Sequence, residues 1–350
     1  MSTSELLEFT TSVRALLTKH APPAALRQAM DADPGYDQRL WRLLCEQVGV
    51  AALAVPEEWG GAGASLVESL LVVEELGRTL AGVPMLGSAV LGAQALLLSG
   101  DEDACARLLP GIAEGARLAA VCWADASGWD RTGVRADDGL LSGTAHYVLH
   151  GAEADLFLVL TDDGLYEAVA DGDTVPGLTA TPTPALDPTR RLATVTFDAV
   201  PARRIGTGDP AALRRRLREI AWTALSAEQV GAARHCLEAT VEYTASRVQF
   251  GRPIGSFQAL KHRMADMYVL VESAESTVQA AARALVEGSE SAAEEVWVAR
   301  VHCSDAFSAV AAETIQLHGG IAITWEHDAH LYFKRAHATA ELFGHATRPR

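Results

Sequence analysis

The chain has 350 residues, 49% of them hydrophobic and 21% charged, with 29 Lys and Arg set against 45 Asp and Glu for a net charge of −16. That length supports two or three domains with cores of their own, and that acidity repels phosphate backbones, which speaks against nucleic acid as a partner. Apolar runs such as Val50–Val55 and Ala95–Leu98 fall far short of the ~20 residues of a membrane span.

The amino terminus carries Glu5 and Glu8 where a signal peptide would have a basic and then a long apolar stretch, so an amphipathic helix is expected there. From Ser4 to about Ala116 the pattern is helical, broken at Pro22-Pro23, Pro34 and the turn Pro56–Gly63. Leu66, Leu70, Val73 and Leu76 recur at helical spacing, and Gly77, Gly82 and Pro84 are expected to stop that helix. Between about Arg117 and Gly208 the period changes. Leu118–Trp123, Leu140–Leu149, Leu156–Thr161 and Ala193–Phe197 are short runs, with Asp137-Asp138-Gly139 and Asp162-Asp163-Gly164 as turns, and they predict a small antiparallel β domain. From Pro210 the chain is helical again. Leu260, Met264, Met267, Val271, Ala274, Val278, Ala281 and Leu285 form a seam in steps of four and three, Val296 to Val310 repeats it, and Ala224, Ala227 and Gly231 mark a closely packed third helix. The fold class is therefore α+β and mainly α. Three domains are expected, over residues 1–116 (helical), 117–209 (β) and 210–350 (helical bundle).

The five cysteines are scattered and never spaced as CxxC, which predicts neither disulfide nor zinc site, and a cytoplasmic chain with reduced thiols. Gly60-Gly61-Ala62-Gly63 lacks the third glycine of a dinucleotide fingerprint, since Leu66 stands in its place; a plain glycine turn is expected. His327 and His330 lack a convincing third ligand, so no metal is assigned and a capped, polar helix start is expected. Arg247-Val248-Gln249-Phe250-Gly251-Arg252-Pro253 turns between two long helices. Arg247 there either clamps a phosphate or caps the first helix, and the residues alone leave both open. The pair Gly319-Gly320 after Gln316 either admits a ligand close to the backbone or ends a helix.

Taken together these segments resemble the acyl-CoA dehydrogenase family. The resemblance rests on Val55–Gly61 with Glu74–Arg78, on Leu140–Asp155, on Arg247–Asp266 (RVQFGRPIGSFQALKHRMAD) and on Gln316–Arg335. It implies a helical domain, a β domain and a four-helix bundle, usually assembled as dimers of dimers. FAD is the implied cofactor, an acyl-CoA thioester the substrate, and electron-transfer flavoprotein or a similar protein the electron acceptor. A base takes the α-proton as hydride leaves the β-carbon for the flavin, giving the enoyl-CoA. By the same resemblance Arg247, Gln258, Gln316, Gly319 and Gly320 contact FAD held mainly by a neighbouring subunit.

The departures from the family pattern are informative. The usual base position falls on Phe343, ahead of Gly344, and the alternative position on Ala221, followed by Trp222 where relatives often carry a substrate-contacting arginine. Glu219 and Glu341 are each two residues off, on another helix face. The flavin-facing β segments read Trp123–Trp129 and Tyr147–His150 in place of the family's small and polar residues. Six residues follow Gly344, so the closing helix common in relatives is expected to be missing. These losses imply a heteromeric enzyme in which a second chain of the same fold supplies the flavin-facing β domain and the base, an arrangement known in the family for bulky substrates such as steroid side-chain thioesters. The alternatives are a self-sufficient homo-oligomer using an unusual base, with Glu228 the candidate, and a scaffold subunit without flavin contact.

Overall fold

A computed structural model describes residues 3–170 and 175–345 of the chain. Helices α1 (Thr3–His20), α2 (Pro23–Asp31), α3 (Gln38–Leu43), α4 (Leu66–Thr79), α5 (Ala93–Ser99) and α6 (Glu102–Ala113) come first. Ten strands follow: β1 (Ala119–Cys122), β2 (Ala124–Asp125), β3 (Gly128–Thr132), β4 (Val134–Asp137), β5 (Leu140–Leu149), β6 (Leu156–Leu160), β7 (Leu165–Val169), β8 (Leu178–Pro182), β9 (Leu192–Pro201) and β10 (Arg203–Ile205). The remainder is α7 (Pro210–Ser246), the two-residue strands β11 (Val248–Gln249) and β12 (Arg252–Pro253), then α8 (Gln258–Glu287), α9 (Ala292–His318) and α10 (Ala329–Glu341). The molecule is mainly helical with sheet at its centre in sequence order, as the composition of the three blocks leads one to expect. Internal contacts divide it into two compact units, one made of the residues up to Phe9 with Arg27–Ser69 and Gly82–Ala221, the other of Thr10–Leu26, Leu70–Ala81 and the chain from Trp222 onward.

The first unit holds strands β1 to β10. One sheet runs β1-β6-β7-β10 and the other β3-β2-β5-β9-β8, with β4 paired to β5. Their inward residues share a core in which Phe157 and Phe197 meet edge to face at 6.1 Å, among Val159, Val195 and Val200. The Asp138-Gly139 turn is as expected: Asp137 pairs with Leu140, and both loop residues have positive φ, which suits a two-residue hairpin. The expectation of an antiparallel domain needs one correction, because β1 and β6 pair in parallel. Residues 123–155 lie between them and return the chain to the same end, a non-local closure that strand periodicity does not encode. The first run is also shorter than read, with Trp123 separating β1 from β2.

The second unit is the bundle. Six residues of the α8 seam, from Met267 to Leu285, are buried, while Leu260 and Met264 at its start are half-buried. The α9 stripe Val296, Ala299, Cys303, Ala306 and Val310 is fully buried. Gly77 does not stop α4, which runs through it to Thr79; the turn comes at Leu80, with φ of 53°. Gly77 is there for contact: a Cβ built on it would stand 2.1 Å from the carbonyl oxygen of Glu228, and one on Gly231 would stand 1.8 Å from that of Glu74. The two helices thus touch backbone to backbone. Gly231→Ala is expected to force them apart and destabilise the protein by about 3 kcal/mol, the upper range for overpacking, as read from urea unfolding.

All five cysteines are free. Burial pushes the thiols of Cys45, Cys236 and Cys303 up to about 12, which keeps them protonated and inert. Among the described residues no helix is long and apolar enough to cross a membrane.

Candidate functional site

The sequence-predicted residues collect at one end of the bundle. Helix α7 ends at Ser246, and the chain turns through Phe250 and Gly251, with φ of 53° and 75°, between β11 and β12 before entering α8. One turn before Arg247, the Tyr243 ring stacks on His318 at 4.3 Å, and its hydroxyl donates to the His318 carbonyl at 3.3 Å. This ties the last turn of α7 to the last turn of α9. Thr244 contacts Met264 of α8 at 3.2 Å, and Arg263 of α8 pairs with Glu313 of α9 at 2.6 Å. Arg247, Gln258, Gln316, Gly319 and Gly320 are therefore gathered from three helix ends, and all five are exposed.

Their chemistry is uncommitted. Among the described residues neither Arg247 nor Gln316 spends its side chain on an internal hydrogen bond or ion pair, and Gln258 has only a 3.4 Å contact to His262. The capping alternative for Arg247 is met by its backbone, whose N–H bonds to Tyr243, not by the guanidinium. Gly319 adopts φ 71°, ψ −153°, a region closed to side chains, and a Cβ built on Gly319, Gly320 or Gly251 meets nothing within 4 Å. These glycines are not needed for internal packing. Around them stand Phe250 at 92% exposure, Ile323 at 72%, Trp325 at 62% and Val248 at 53%. Sequence reading did not single out this apolar rim, because exposure is set by which helices happen to end here.

The two positions where the resemblance would put a base are apolar and closed. Phe343 is 2% exposed with φ 65°, and Ala221 is fully buried. The indole Nε1 of Trp222 donates to the Phe343 carbonyl at 3.1 Å. Arg300, itself 2% exposed, donates to the carbonyls of Thr339, Ala340 and Leu342 at 2.7–3.0 Å, capping α10 with a buried cation. Burial lowers the Arg300 pKa to about 10, and Glu341 opposes that shift. Glu341 itself reaches His345, and Glu219 pairs with Arg216 at 3.1 Å. Glu228 faces Arg335 at 2.9 Å, the two side chains 9% and 2% exposed, so its carboxylate serves a buried ion pair.

In the first unit, Trp129 stacks on Tyr147 at 6.0 Å and meets Trp123 edge-on at 5.3 Å, so the eroded β segments form an aromatic cluster of their own. His327 caps the start of α10 by accepting the N–H of Ala329 on Nδ1 at 3.1 Å. No group of three or more His, Cys, Asp or Glu among the described residues could hold a metal ion.

Comparison with known proteins bears on the family and the fold. Residues 3–116 match the sequence model of the acyl-CoA dehydrogenase N-terminal domain, and residues 220–346 that of the C-terminal domain. The chain is 46% identical over 340 residues to acyl-CoA dehydrogenase IpdE2 of Mycolicibacterium smegmatis, covering 97% of this chain and 94% of that one. It superposes on the ChsE4–ChsE5 complex of Mycobacterium tuberculosis with a TM-score of 0.89 at 29% identity, covering 99% and 95% of the two chains. A variant of the Tcur3481–Tcur3483 steroid ACAD gives 0.86 at 31% identity, covering 98% and 94%. The chain belongs to the acyl-CoA dehydrogenase family of FAD-dependent oxidoreductases.

Proposed function

We propose that this chain is one subunit of a two-chain acyl-CoA dehydrogenase. It lends Arg247, Gln258, Gln316 and the Gly319–Gly320 backbone to a flavin whose ring is held by a partner of the same fold, and that partner supplies the base. The observation that carries the reading is the contrast at this chain's two ends of the chemistry: an exposed, uncommitted donor set on one side, and closed apolar residues at Phe343 and Ala221 on the other.

The donor set fits FAD. A free guanidinium at a helix corner suits a pyrophosphate, two side-chain amides suit the hydroxyls and ring edges of a nucleotide, and unobstructed glycine backbone allows close approach. When bound, FAD supplies the hydride acceptor for α,β-dehydrogenation of the acyl-CoA. This chain's own residues anchor and orient, and its apolar rim of Phe250, Ile323 and Trp325 is covered by the partner. Similarity to the ChsE4–ChsE5 complex and to the Tcur3481–Tcur3483 steroid ACAD supports a heteromer acting on a bulky, steroid-derived thioester. Transfer onward to electron-transfer flavoprotein or a similar acceptor, and a cytoplasmic location, belong to the same proposal.

The test is the ratio of FAD to protomer in the purified chain, alone and co-expressed with a candidate partner of the same fold. The expected result is a colourless chain alone and about one flavin per pair with the partner. One flavin per chain in isolation would overturn the shared site, and no flavin in either state would leave a scaffold.

A further inference from the structure

The backbone contact of α4 with α7 lies inside a network of charges drawn from four helices. Arg14 of α1 holds Glu75 of α4 with two hydrogen bonds of 2.9 and 2.6 Å. Arg78 of α4 reaches Glu238 of α7 and lies 3.8 Å from Glu75. Arg234 of α7 divides its guanidinium between Glu272, at 3.0 Å, and Glu275, both on α8. Three guanidiniums thus face four carboxylates and each holds at least one of them, although Nη1 of Arg78 is buried with no hydrogen-bond partner among the described residues.

Glu74 of α4 is a fifth carboxylate in the same place. Among the described residues its side chain makes no hydrogen bond or ion pair. Yet Glu75 and Arg78 from its own helix, Arg234 from α7 and Glu275 from α8 all act on its charge, and it acts in turn on Arg14 of α1 and on the buried Cys303 thiol of α9. The glycine contacts leave no slack: the helices cannot drift apart to dilute the repulsion without losing the approach at Gly231 and Gly77.

We propose that Glu74 is a proton-operated latch: with its carboxyl protonated α4 seats firmly on α7 and α8, and ionisation adds an unmatched negative charge that loosens this contact. Burial, and then repulsion by Glu275 and Glu75, push its pKa up from 4.5 to about 7, while Arg234 and Arg78 offset this only in part. The proton therefore leaves close to neutral pH. In the unfolded chain it leaves near 4.5. Between the two values the folded protein binds more protons, so stability falls as pH rises and the loss is complete above about 7. The interval corresponds to a factor of up to about 300 in the folding equilibrium.

Urea unfolding of the full-length wild type and Glu74→Gln, from pH 5.5 to 9, tests this. Glutamine keeps the shape and removes the charge. The variant is expected to be about 10-fold the more stable at pH 5.5, one unit above the unfolded pKa, and the gap to widen with rising pH to about 300-fold at pH 8.5. Glu275→Gln, which removes one opposing charge, is expected to end the wild-type loss at a lower pH and to shrink it: with less repulsion less of the pKa elevation remains. A Glu74→Gln protein that tracks wild type at every pH, or that is less stable or unfolded at pH 8.5, overturns the proposal.

Discussion

Replacing Arg335 by Ala is expected to lower stability by about 3–5 kcal/mol, the cost of leaving a buried charge without its partner, as read from denaturant unfolding. The guanidinium is 2% exposed and stands 2.9 Å from a Glu228 carboxylate that is itself 9% exposed, so truncation takes the cation from a largely buried anion. Glu228→Gln is expected to be milder, about 1–3 kcal/mol, because the amide oxygen still accepts from Arg335. Changing both at once, Glu228→Leu with Arg335→Met, is expected to recover much of the loss, since an apolar pair of similar volume carries no desolvation cost. The same variants decide the catalytic question. If Glu228 only serves the ion pair, Glu228→Gln lowers the melting temperature and leaves turnover of the assembled enzyme nearly intact. A fall of several orders of magnitude in kcat at an unchanged fold would instead make it the base.

Replacing Arg247 by Ala is expected to weaken flavin binding by about 100-fold, or about 3 kcal/mol, the worth of a forked, charge-assisted contact to a phosphate. Stability of the chain itself is expected to change by less than about 0.5 kcal/mol, because among the described residues the exposed guanidinium makes no hydrogen bond or ion pair. That separation makes the result easy to interpret. Arg247→Lys keeps the charge but not the fork, and an intermediate loss of about 10-fold is expected. The measurement is equilibrium FAD binding to the apo-assembly. An Arg247→Ala assembly that holds FAD as tightly as wild type would remove this residue from the site.

Local pattern carried much of the architecture. The α8 and α9 stripes are short-range periodicities, and the Asp138-Gly139 hairpin follows from the φ values its two residues tolerate. The five candidate flavin contacts were legible only through their resemblance to a family; physics alone left Arg247 divided between clamp and cap. What escaped the sequence was set by distant partners. Gly77 reads as a helix stop until Glu228, 151 positions later, is seen lying against it. The β1–β6 pairing joins strands more than thirty residues apart with nothing in either run to announce its direction. Glu74 looks like any solvent-facing glutamate between leucines, and its unusual surroundings come from α7 and α8 folding back over it.

The anchoring of residues 339–344 has a consequence for how such a subunit evolves. On the reading proposed above, the carboxylate that the family resemblance would put at Phe343 is supplied by the partner. Restoring one by a single substitution would place it at a position only 2% exposed, on a backbone already fixed by the Trp222 indole and the Arg300 guanidinium. By the same resemblance the neighbouring indole stands where an arginine is expected, so restoring a base would need at least a paired change at Trp222, and each step taken alone is expected to cost stability without returning activity. If the chain is that lending subunit, its specialisation behaves as a ratchet. Once such a pocket has filled with apolar side chains, a lending subunit is not expected to regain independence one mutation at a time.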